Sequence, residues 1–157
     1  SGLLAAGLGW IVYVNVLLPT GAMDLARANI IIKMAEGGLD NPTAFVLVAV
    51  GYSCFHAGLE EYYWRWFVYG QARPLFGTRP ALVFAAVAFT AHHVIVVGSF
   101  FGLANPWTWV LSGAIGVGGS FWCWMYQRYG LIWGAWLSHA LIDAGIFVIG
   151  YDLIFLS

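Results

Sequence analysis

The chain has 157 residues, of which 62% are hydrophobic and only 8% charged, with a mean hydropathy of +0.83. An ordinary soluble domain carries charge on about a quarter of its residues, so that class is excluded. Six basic and seven acidic side chains nearly cancel at net −1, which leaves no basic surface for nucleic acid and no acidic tail. Cys54 and Cys123 both sit in apolar runs without a CxxC partner, so they read as small packing residues and not as thiolate ligands or a disulfide framework. Ser1 opens the chain with neither a methionine nor a basic leading stretch, and no cleavable signal peptide is read from it.

A membrane span needs about 20 mostly apolar residues. In chain order the apolar runs predict spans over Leu3 to Leu18, Thr43 to Gly70, Ala81 to Leu103, Trp107 to Tyr126 and Leu131 to Phe155. Between the first two, Met23 to Gly38 sets Leu25, Ile30, Ile31, Ile32 and Met34 against Asp24, Arg27, Lys33 and Glu36, a pattern that suits a helix lying along the membrane surface. The expectation is an all-α polytopic membrane bundle of about five transmembrane helices plus one interfacial amphipathic helix, with membrane lipid around it. Arg73 and Arg79 follow the second span and Arg128 ends the fourth, whereas the Asn105-Pro106 turn has no basic residue; the basic ends are therefore expected in the cytoplasm. Tyr62, Tyr63, Trp64, Trp66, Tyr69, Trp122, Trp124, Tyr126, Tyr129 and Trp133 gather toward those ends, as an interfacial aromatic belt does. Ser112, Gly116 and Ser120, and again Gly130 and Gly134, are spaced to let helix backbones approach.

A charge in hydrocarbon costs at least about 2.5 to 3.5 kcal/mol on insertion scales, so each one in a span calls for a partner or a use. Glu60, Glu61, Arg65 and Asp143 are such charges, and His56, His92, His93 and His139 join them. Glu61 and Arg65, at i and i+4, share a helix face and can neutralise each other. Glu60 is turned about 100° away, on the face of His56 one turn earlier. Phe89 and His93 share a face of the third span, as do His139 and Asp143 on the fifth. Counted from the basic ends, Glu60, His93 and His139 lie at depths of roughly 12 to 18 Å, so one polar layer is expected to gather them.

Three ordered elements, Glu60-Glu61-Tyr62-Tyr63-Trp64-Arg65, Phe89-Thr90-Ala91-His92-His93 and His139-Ala140-Leu141-Ile142-Asp143, read as Glu-Glu-x-x-x-Arg, Phe-x-x-x-His and His-x-x-x-Asp/Asn on successive apolar helices. Together they resemble the signature of the CPBP family, the CAAX prenyl protease and bacteriocin-processing (Abi) proteins, which are metal-independent intramembrane glutamic proteases. The resemblance makes residues 43–157 a catalytic core of four transmembrane helices, with residues 1–42 holding the first span and the interfacial segment outside it. It implies that Glu60 and His93 activate a water, that His139 stabilises the oxyanion, and that Asp143 belongs to the same pocket. Glu61, Arg65 and Phe89 are implied as supports. An ionised carboxylate cannot donate to an oxyanion, so Asp143 is expected to orient His139. No cofactor is implied. The substrate would be a membrane peptide or a lipidated protein C-terminus, and the location a bacterial inner membrane with the site toward the cytoplasm. His56 and His92 hold no motif position and are expected in packing or support.

Four other readings of the same residues stay open. A buried polar network could glue the helices together. Two histidines and a glutamate could bind zinc, although no His-Glu-x-x-His is present, or one histidine could ligate a tetrapyrrole. A chain with this signature could also be a catalytically silent accessory or assembly subunit of a larger membrane complex, one associated with pigment or lipid.

Overall fold

The computed structural model describes residues 1–156, and among these the chain is helical throughout, without a strand. Six helices follow in order: α1 (Gly2–Leu17), α2 (Asp24–Glu36), α3 (Pro42–Phe76), α4 (Thr78–Phe101), α5 (Pro106–Tyr129) and α6 (Trp133–Leu156). The chain is a helical membrane protein: α3, α4 and α6 are each long and apolar enough to cross a bilayer. The other two predicted spans fall short for different reasons. α1 is too short, and α5 is as long as α4 but is diluted by Gly113, Gly116, Gly118, Gly119, Ser112 and Ser120. The interfacial segment does form a helix, α2, on which Leu25, Ile31 and Ile32 stay exposed.

Contacts divide the chain into two units. In the unit of residues 1–57 and 137–156, α1 lies along α6. Gly2 comes so close that a Cβ there would meet the Ser138 carbonyl oxygen at 2.6 Å, and a Cβ on Gly145 would meet the Ala6 Cβ at 2.7 Å. Ser1 and Ser138 share a hydroxyl hydrogen bond of 3.0 Å. A further charge in the apolar segments, Asp152, is met by the buried Tyr13, whose hydroxyl donates to Oδ2 at 2.8 Å. The first half of α3 packs by aromatic rings: Phe45 is edge-on to Phe147, Tyr151 and Phe155, which recur every fourth residue of α6.

The unit of residues 58–136 is built from the second half of α3 with α4 and α5. After Glu61 the backbone of α3 widens into π-helical turns over Tyr62–Tyr69 and then resumes as an α-helix that carries Pro74. Gly77 alone joins α3 to α4, and its φ of +82° is a conformation that side chains rarely tolerate. α4 and α5 pair antiparallel along their length, because α5 presents no side chain where α4 is bulkiest. Gly116 faces the Thr90 hydroxyl, and a Cβ on Gly119 would meet Phe89 Cδ1 at 2.5 Å. Asn105 starts α5 by accepting the Trp107 N–H at 3.0 Å. Tyr69, Ala72, Ala81, Ala85 and Cys123 close the packing at the Gly77 end.

Replacing Gly119 by valine drives methyl groups into the Phe89 ring. Thermal unfolding in detergent is expected to show a loss of about 1 to 3 kcal/mol, with Gly118→Val, on a looser site, losing less.

Candidate active site

The buried pair Glu61 and Arg65 anchors the second unit. Their side chains are 0% and 1% exposed, and Arg65 Nε lies 2.9 Å from Glu61 Oε2. The guanidinium also lies over two rings, 4.8 Å from the centre of Phe89 on α4 and 5.5 Å from that of Trp122 on α5. One arginine thereby ties three helices, and it can do so inside a membrane because its countercharge is one turn away on its own helix.

Glu60 belongs to the next face. Its side chain is 10% exposed and meets two histidines of α4: His92 Nε2 lies 3.4 Å from Oε1, and His93 Nε2 lies 4.0 Å from Oε2. His93 is the more buried of the two, with side-chain exposure of 13% against 44%. Its Nδ1 lies 3.0 Å from the Phe89 carbonyl oxygen. A carbonyl oxygen only accepts, so Nδ1 carries the proton, and in the neutral ring Nε2 presents its lone pair toward Glu60. Phe89 therefore acts twice, through its ring under Arg65 and through its carbonyl on His93. Trp64 stands edge-on to Phe89 at 5.5 Å and leans on His92 at 6.0 Å. Leu59, Glu60, Tyr63, Trp64 and His92 line an open depression of about 390 Å³.

Glu60 and His93 lie at matching levels, 16 and 15 residues from the helix ends at Gly77. That is about 22 to 24 Å along each axis, deeper than the 12 to 18 Å expected. The sequence estimate ended α3 at Gly70 and began α4 at Ala81, whereas Pro74 sits within α3 and α4 starts at Thr78.

A second polar cluster lies in the unit of residues 1–57 and 137–156. Asp143 stands between two imidazoles, with His139 Nε2 3.5 Å from Oδ1 and His56 Nδ1 3.8 Å from Oδ2. His139 is nearly buried, and His56 stacks on Tyr52 with ring centres 4.1 Å apart. The sequence reading left His56 and His92 without a site position, yet each faces a carboxylate of the signature. The signal was present: both are ionisable residues in apolar helices. His92 was hard to read because neighbours on a helix diverge by about 100°. The two oxygens of one carboxylate bridge that divergence.

The fold and the site together define a helical membrane protein with a buried glutamate set against two histidines. Residues 42–145 match the Rce1-like family, the type II CAAX prenyl endopeptidases, and the chain belongs to that family. No curated protein and no solved structure matches it.

Arg65→Met leaves Glu61 charged and buried without its partner. Unfolding in detergent is expected to show a loss of about 3 to 5 kcal/mol, and the double variant Glu61→Leu/Arg65→Met a smaller one.

Proposed function

We propose that the chain is a glutamic-type intramembrane endopeptidase whose catalytic part begins near residue 43. The observation that carries this reading is the facing pair Glu60 Oε2 and His93 Nε2, 4.0 Å apart, with the histidine proton committed to the Phe89 carbonyl. Both facing atoms accept hydrogen bonds. Their spacing is too wide for a direct bond between them and suits one water that donates to each, leaving an oxygen lone pair for a peptide carbonyl.

In the proposed reaction that water adds to the carbonyl carbon while one of its protons passes to Glu60. The carbonyl oxygen becomes an oxyanion, and the family signature assigns to His139 the role of donor to such a charge. Asp143, close to His139 Nε2, would hold that ring in place. The C–N bond then breaks, and the proton on Glu60 goes to the leaving nitrogen. Glu61, Arg65 and Phe89 hold the helices that carry this pair.

The family supports a substrate that is a membrane-anchored peptide, with a lipidated protein C-terminus the first to be tried. Arg73, Arg79 and Arg128 all lie at the Gly77 end of their helices, and they support placing that end in the cytoplasm; the membrane of the proposal is a bacterial inner membrane.

The reading is tested with purified protein in liposomes, prenylated C-terminal peptides and unlipidated membrane peptides. Glu60→Gln and His93→Ala are each expected to lower kcat/KM by about 10² to 10⁴ while the unfolding temperature holds. Cleavage by Glu60→Gln at the wild-type rate would overturn the proposal.

A further inference from the structure

His92 is the histidine nearest Glu60, although the three signature elements assign it nothing. A carboxylate is symmetric, and rotation about its last torsion exchanges its two oxygens. The exchange itself changes nothing, but a base that takes a proton from a water on one side works best when the torsion is held so that one oxygen stays aimed at that water. In this chain the two oxygens meet different partners. Oε2 faces His93 Nε2, which presents a lone pair when Nδ1 donates to the Phe89 carbonyl, so the neutral His93 ring cannot hold the carboxylate by donation. Oε1 faces His92 Nε2 at 3.4 Å, within reach of a donated proton and a few tenths of an ångström longer than a settled hydrogen bond.

The ring of His92 is itself placed. Trp64 leans on it at 6.0 Å, and the His93 ring stands perpendicular to it at 5.1 Å. It also lines, together with Glu60, the open depression, and it is the more exposed of the two.

We infer that His92 is a positioning residue for Glu60: its Nε2–H holds Oε1, and Oε2, on the His93 side, is left as the oxygen that takes the proton from water. This rests on the peptidase reading. The role requires the tautomer of His92 protonated at Nε2, opposite to that of its neighbour, whose Nδ1–H is committed to a backbone carbonyl. The wide-angle pair of histidines thus divides the work: one defines the water side of the glutamate and the other holds its far side.

The test compares wild type, His92→Phe, His92→Gln and Glu60→Gln in liposomes on one cleaved peptide. Phenylalanine keeps a ring against Trp64 but has no donor, whereas the glutamine amide can place an N–H where Nε2 stands. His92→Phe is expected to lower kcat roughly 10- to 100-fold, the effect of a misplaced base, with KM and unfolding temperature near wild type. His92→Gln is expected to recover most of that loss. If Glu60→Gln is inactive and His92→Phe retains wild-type kcat, the inference is overturned and the peptidase reading stands. The same holds if His92→Gln is as impaired as His92→Phe. Wild-type activity in Glu60→Gln overturns both.

Discussion

The Glu61 and Arg65 pair is the constraint on which the second unit depends. An arginine buried to 1% exposure in a membrane helix is tolerable only when its charge is met, and here the carboxylate lies on the same helix at 2.9 Å. With its charge answered locally, the guanidinium is free to use its faces on Phe89 and Trp122, and these carry the link to α4 and α5. The pair therefore converts an electrostatic liability into the joint of three helices. Lipid gives helices no hydrophobic incentive to associate, so close packing and polar contacts of this kind must hold the unit together.

The joint also sets the chemistry. Glu60 precedes Glu61, so fixing Glu61 toward Arg65 turns Glu60 onto a different face, where α4 presents His92 and His93. Phe89, held under the arginine, accepts the His93 Nδ1 proton one turn along its own helix. Gly119 makes room for that ring from the α5 side. A support residue, a backbone carbonyl and a glycine on a third helix all act on the orientation of one imidazole. The wide turns that begin at Tyr62 occur beside this site, a place where such departures from regular helix are common.

The second unit's carboxylate and the first unit's carboxylate are met in the same way, each by two histidines. In each set one histidine belongs to a signature element and the other does not. Asp143 lies one helical turn from His139, with 3.5 Å between Oδ1 and Nε2. Tyr52 stacked on His56 and Trp64 leaning on His92 show that the two non-signature histidines are placed by aromatic neighbours.

Composition and spacing alone made the chain a helical membrane protein and put Glu61 with Arg65, and His139 with Asp143, on shared faces. Those properties follow from hydrophobicity and the 3.6-residue repeat, which are local. The ordered signature also pointed to the family that residues 42–145 match. The count of apolar spans was less legible, because a 16-residue helix such as α1 and a glycine-rich one such as α5 depend on the helices beside them. So was the charge of Asp152, which falls inside the predicted fifth span and is met there by Tyr13 from α1. Only the tertiary structure decided that both adjacent histidines reach Glu60, that His56 faces Asp143, and that the Phe89 carbonyl selects the tautomer of His93. Those are distances between side chains and backbone groups on packed helices, and helical periodicity assigns a residue to a face without saying which atom waits opposite.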